Sequence, residues 1–90
     1  MNMTKLIYFV YVLKSLNDNF HYIGHSFNLG NRLKIHNAKK VRSTKAHAPY
    51  KIIYHEEYKS RSEAQKREYY LKSRNGNFWL RAHLKNSSKW

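Results

Sequence analysis

Apolar residues fall in short blocks along the chain, and their spacing changes from block to block. The run "LIYFVYVL" (6–13) is unbroken, β-branched and aromatic, which predicts a buried strand. "SLNDN" (15–19) is turn chemistry, because Asn and Asp bond their own backbone and accept left-handed conformations. "FHYIG" (20–24) then predicts the return strand of a hairpin, ending at Gly24, where a side chain would obstruct a close neighbour. Ser26 and Asn28 are both candidate caps for the next element. Leu29, Leu33 and His36 recur at helical spacing, so a helix is expected over 28–38. Gly30 weakens it by about 1 kcal/mol relative to Ala.

"NAKKVRSTKAHAP" (37–49) is a polar, basic connection holding the only Pro, and its length suits a binding loop. "YKIIYHEEY" (50–58) predicts a third strand. Ser60 and Glu63 make a capping box, opening a helix expected to reach Lys72 or Ser73. "RNGN" (74–77) is expected to break it, with Gly76 as a left-handed stop, before a short last helix over 78–84 that uses Leu80 and Leu84. The tail "KNSSKW" is expected to be loose, with Trp90 able to dock. The order is β-β-α-β-α-α. Three strands with bare faces are unstable in water, so helices must cover them. The expected fold is α/β, a small three-stranded antiparallel sheet flanked by helices, and residues 1–90 are expected to form a single domain.

Charge narrows the function. With 18 Lys and Arg against 5 Asp and Glu, the formal net charge is +13. That field on so small a body favours a polyanion, and nucleic acid best of all. A membrane surface would call for an amphipathic helix with a continuous apolar face, and no segment offers one. The chain contains no Cys, which excludes disulfide scaffolds, Cys-based zinc sites and thiol nucleophiles. Residues 6–13 are too short and too rich in Tyr for a signal peptide, and no stretch approaches transmembrane length, so a cytoplasmic location is expected.

Candidate chemistry comes from few residues. Asp18 suits its turn and Glu63 its capping box, while Glu56 and Glu57, adjacent on a strand, should point to opposite faces. Glu68 shares its helix face with Ala64 and Leu71, beside the core. An ionised carboxylate there needs a partner, either a basic residue such as Arg67 or Lys72, or a metal ion. Arg32 and His36 stand four apart on one helical face, as a solvated pair or as a phosphate fork beside a proton acceptor. Tyr11 and Tyr22 come from neighbouring strands about 4.8 Å apart, as core aromatics or as two hydroxyls converging on one anion. No His-Glu-x-x-His or comparable zinc cluster exists.

Taken in order, "FVY" (9–11), "YIG" (22–24), Arg32, His36 and "KREYYLKS" (66–73) resemble the GIY-YIG nuclease family, as do "STKAHAPYKIIYHEEY" (43–58) and "SRSEAQKREYYLKSRNGNFWL" (60–80) its small single-domain bacterial members. The resemblance covers about residues 7–84. It implies a metal-dependent endonuclease that hydrolyses phosphodiester bonds in DNA, with RNA as the other candidate. In that reading Tyr11 and Tyr22 are the tyrosines of the two motifs, Arg32 is the family arginine, His36 matches a histidine found in many members, and Glu68 is the metal-binding glutamate. One Mg²⁺ or Mn²⁺ on Glu68 is implied, since the motif set supplies a single carboxylate. Only the tyrosine of the first motif is retained. His25 follows Tyr-Ile-Gly where some members carry Lys and others a small or apolar residue, which leaves its part in catalysis open. The basic residues Lys39, Lys40, Arg42 and Lys45 are expected to contact the nucleic-acid backbone, which positions without reading sequence. Cutting is expected to be structure-selective or weakly specific, with room for a protein partner. The alternative is a nucleic-acid-binding module that keeps the fold and cuts little.

Overall fold

The computed structural model describes residues 6–90; the first five residues of the expected domain lie outside the described residues. Strands β1 (Tyr8–Ser15), β2 (His21–Ser26) and β3 (Tyr50–Tyr58) alternate with helices α1 (Leu29–Asn37), α2 (Arg61–Lys72) and α3 (Arg74–Asn86), in the order β-β-α-β-α-α. The sheet is antiparallel with β1 central, in the order β2-β1-β3. Central β1 carries the most continuous apolar run, and Val10, Tyr11, Val12 and Leu13 are all buried.

The two sheet faces bury different sets. Val10, Val12 and Ile23 pack against Ala64, Leu71, Leu80 and Leu84 of α2 and α3. Tyr11 and Leu13 face the other way, against Ala48 and Tyr50, with Tyr22, Leu29 and Leu33 at the margin. β3 changes face midway. Val12 pairs with Tyr54 but Leu13 with Ile52, so Ile53 is an extra residue, a bulge. Tyr50 and Ile52 therefore turn to the α1 side, and Tyr54 and Tyr58 to the α2–α3 side.

The caps form as their residues require. Asn28 accepts from the Asn31 amide at 3.0 Å, and Ser60 accepts from the Glu63 amide at 3.2 Å while donating to the Glu63 carboxylate at 3.0 Å. Three expectations are corrected. β2 runs on through Gly24 to Ser26, since Gly24 is paired across from Tyr11 and its missing side chain relieves a contact on the sheet face. "RNGN" does not break the helical region. Ser73 ends α2 and caps α3, accepting from the Gly76 amide at 3.2 Å, so α3 begins at Arg74. Gly76 is no left-handed stop, because no described glycine has positive φ; a Cβ there would overlap the Tyr70 carbonyl, so its smallness lets α3 turn back against α2. At the tail, Trp90 docks, its ring stacked on His21 at 3.6 Å.

Candidate active site

Strand alternation places Tyr11 and Tyr22 on one sheet face, because Tyr11 pairs with Gly24, two residues from Tyr22. Their ring centroids lie 6.2 Å apart. Gly24 makes this approach feasible. A Cβ there would stand 2.7 Å from the Tyr11 hydroxyl and 2.8 Å from Cε2 of Tyr22. α1 crosses the same face and delivers His36, fully buried, to the Tyr11 hydroxyl, with Nε2 at 3.0 Å.

A further bond bears on which nitrogen of His36 holds the proton. Nδ1 faces Thr44 Oγ1 at 2.8 Å, and Thr44 donates its own proton to the Val41 carbonyl at 3.3 Å. With Thr44 donating there, it stands as an acceptor toward His36, the arrangement in which Nδ1 carries the hydrogen and Nε2 accepts from the Tyr11 hydroxyl. Thr44 is itself fully buried, and its carbonyl accepts from the Tyr50 hydroxyl at 2.7 Å, which ties the loop to β3. Burial, and then the nearby Arg32 cation, hold the His36 pKa below its ordinary value, so the ring is neutral near pH 7. Burial raises the Tyr11 phenol to about 12, with Tyr22 and Glu68 acting in the same direction and Arg32 against them. A standing phenolate is therefore disfavoured. Arg32 is partly buried on α1, and its Nε–H is buried with no acceptor among the described residues.

Glu68 reaches the neighbourhood from the opposite sheet face, around the β2 edge. It is 8% exposed. Its Oε1 accepts from Nδ1 of His25 at 2.6 Å, and its Oε2 from the Lys72 ammonium at 2.7 Å. Lys72 Nζ also lies 5.7 Å from the Tyr22 ring centroid, bridging the two halves. Of the two basic partners expected for Glu68, Lys72 is the one that pairs with it; Arg67 instead forks onto Glu56 at 2.8 and 3.1 Å.

Tyr11, Tyr22, Arg32 and His36 are thus gathered on one side, and Glu68 with His25 on the other. Lys39, Lys40, Arg42 and Lys45 are exposed on the segment following α1, above the buried anchor Thr44. Sequence reasoning did not single out Thr44, which sits in a polar loop with no periodicity, nor Lys72 as a bridge to Tyr22, although its i, i+4 spacing from Glu68 was visible.

Among the described residues no group of three or more His, Cys, Asp or Glu converges on a point. At this site the described residues offer an ion one carboxylate, Glu68. That suits a hard cation such as Mg²⁺, which keeps several waters and takes one or two carboxylates together with substrate phosphates. The oxygen facing Lys72 already pairs with a positive charge, and the Lys72 side chain is 46% exposed. The donor set fits.

Comparison with known proteins bears on what this arrangement is for. A family model described as the GIY-YIG catalytic domain matches residues 7–87. A UPF0213 protein of Staphylococcus haemolyticus is 39% identical over 67 residues, covering 73% of this chain and 80% of that protein. One from Clostridium perfringens is 38% identical over 65 residues, covering 71% and 69%. The solution NMR structure of a UPF0213 protein from Bacillus halodurans aligns with a TM-score of 0.50 at 25% identity, covering 84% of this chain and 83% of that one.

Proposed function

The chain belongs to the GIY-YIG family, whose catalytic domain implies nuclease-type function, and from that premise we propose a metal-dependent endonuclease that hydrolyses phosphodiester bonds in DNA, with RNA as the other candidate substrate. The observation that carries this reading is the Tyr11–His36–Thr44 chain beside an Arg32 Nε–H that has no acceptor among the described residues.

The residues divide the work as follows. The Tyr11 oxygen accepts a proton from the attacking water while its own proton passes to Nε2 of His36. No free phenolate accumulates, which suits a phenol pushed up to about 12. The water oxygen attacks phosphorus, the bond to the 3′-oxygen breaks, and that oxygen is protonated from solvent. Arg32 donates from Nε to a non-bridging oxygen, opposing the charge that develops there. Tyr22 presents its hydroxyl to another phosphate oxygen or to the water. Glu68 would hold Mg²⁺ or Mn²⁺, with His25 orienting the carboxylate through Oε1. When bound, the ion supplies positive charge beside the scissile phosphate and the leaving oxygen. Lys39, Lys40, Arg42 and Lys45 hold the backbone without reading bases. Cutting is thus structure-selective or weakly specific.

One observation favours a second reading, a nucleic-acid-binding module that cuts little alone: both Glu68 oxygens are already engaged, by His25 and Lys72. Incubation with flapped, branched, nicked and plain DNA separates the two. Cleavage that requires Mg²⁺ or Mn²⁺ and disappears in Glu68→Gln is expected. Tight binding without cleavage, unaffected by that substitution, would establish the module instead.

A further inference from the structure

The outer face of α3 carries a stripe that the candidate site does not use. Arg74, Phe78, Arg81 and Lys85 follow one another by four, three and four residues, so they share one side of the helix. Phe78 is 76% exposed. Its neighbour Trp79 is already engaged, stacked on His83 at 4.9 Å with the Arg67 guanidinium 5.0 Å from its ring centroid. Among the described residues Phe78 has no such partner.

Phe78 and Arg81 wall two clefts. One, of about 440 Å³, lies at the α2–α3 junction, where Lys72, Ser73, Arg74, Asn75 and Asn77 complete a lining without any carboxylate. The other, of about 210 Å³, is closed by Ala82 and Lys85. None of the ion pairs among the described residues involves Arg74, Arg81 or Lys85. Lys72 belongs both to the larger cleft and, through its 2.7 Å bond, to Glu68, so cleft and candidate site share a wall.

An exposed ring with unpaired cations on both sides is the arrangement that takes an unpaired base between two phosphates. A duplex would meet the cations but hide its base faces within the stack. We infer that the α3 stripe seats a single-stranded stretch of nucleic acid continuing from the cut site. One base stacks on Phe78, with flanking phosphates on Arg74 and on Arg81 and Lys85. This rests on the nuclease reading and sharpens its substrate to a duplex bearing a single-stranded tail.

The test measures binding with chelator present, using a blunt duplex and the same duplex with a tail carrying 2-aminopurine. The wild-type protein binds the tailed duplex more tightly and quenches the probe. Phe78→Ala and Phe78→Leu abolish the quench and weaken tailed binding about tenfold, the scale of one base–aromatic stack, while blunt binding is unchanged; Phe78→Tyr behaves as wild type. Arg81→Ala and Lys85→Ala each reduce the log–log salt slope for tailed DNA by about one. Quenching that survives in Phe78→Ala overturns the inference, as does an equal loss on both DNAs. A wild-type protein that cuts DNA once Mg²⁺ is supplied but whose binding ignores the tail also overturns it and leaves the nuclease standing. One that neither binds nor cuts any form sinks both.

Discussion

Thr44→Val keeps the shape of a buried side chain and removes one oxygen. In the folded protein that oxygen accepts the His36 Nδ1–H at 2.8 Å and donates to the Val41 carbonyl at 3.3 Å. Thr44 and His36 are both 0% exposed, so water cannot substitute. Two responses are open to His36. It can keep its proton on Nδ1 as an unsatisfied buried donor, at a cost of about 1–3 kcal/mol. It can instead move the proton to Nε2, which forces the Tyr11 oxygen to accept and leaves the phenol proton without an acceptor. The second response moves the unsatisfied donor to the buried phenol, at a similar cost, and also removes the relay. General-base assistance is worth roughly 10²–10⁴-fold, so single-turnover cleavage should fall at least about a hundredfold, with DNA binding little changed. Histidine ring ¹⁵N spectra near neutral pH read which nitrogen carries the hydrogen, and urea unfolding reads the stability. Thr44→Ser, which keeps the hydroxyl, should restore both tautomer and rate. A Thr44→Val protein that is equally stable, keeps Nδ1 protonated and cuts at the wild-type rate would refute the reasoning. So would Thr44→Ser failing as badly as Val, because the methyl rather than the hydroxyl would then be what matters.

Three further outcomes are expected. Gly24→Ala should drive the Tyr11 hydroxyl and the Tyr22 ring from a Cβ they would meet at 2.7 and 2.8 Å; overpacking of this kind costs about 1–3 kcal/mol, and the displaced phenol should cost cleavage about a hundredfold, read by urea midpoint and single-turnover rate. Burial acts to raise the Glu56 pKa, but Arg67 and the Tyr54 and Tyr58 hydroxyls outweigh it and lower it. The stabilisation is therefore complete above the unfolded carboxylate value, about 4.3, and is lost as pH falls through the lower folded value; Glu56→Gln should remove about 2 kcal/mol at pH 7 and flatten the acid limb of a stability–pH curve. Lys72→Met frees Glu68 Oε2 from its ammonium, so Mn²⁺ binding measured by calorimetry should tighten, and unchanged or weaker binding would show that the lysine does not compete with the ion.

Element order and sheet type follow from period and turn chemistry, because each strand is short and rich in aromatic or β-branched residues and each helix has its cap residue in place. The failures have local causes. "RNGN" carries the residues of a break, yet Ser73 caps α3 there and Gly76 answers a packing need set by Tyr70, six residues earlier in the chain and in another helix. Likewise the bulge at Ile53 leaves no mark in "YKIIYHEEY", since its effect is to aim Tyr54 and Tyr58 at a carboxylate shared with Arg67 of α2. Thr44 escaped for the same reason: its partner is a buried ring on a helix, and a polar loop residue announces no such contact. What the sequence did expose are relations within one element or one hairpin, such as Tyr11 with Tyr22 and Arg32 with His36.

The link between Glu68 and the tyrosines is of a different kind, because they approach from opposite faces of a sheet. A sheet normally separates its faces, but here only β2 lies between the central strand and the open edge. Gly24 and His25 are consecutive on that edge strand and so point to opposite sides. On one side the missing Gly24 side chain makes room for the Tyr11 hydroxyl, and on the other His25 holds Glu68 at 2.6 Å. Lys72 then reaches across to the Tyr22 ring, so the two halves share a charge as well as an edge. With the glycine and histidine on the central strand a further strand would separate the two halves on either side, whereas on the edge strand both halves open at one rim. That is a physical reason for a Tyr-Ile-Gly-His string to sit in β2 rather than β1, and for a side chain at its glycine to displace both tyrosines.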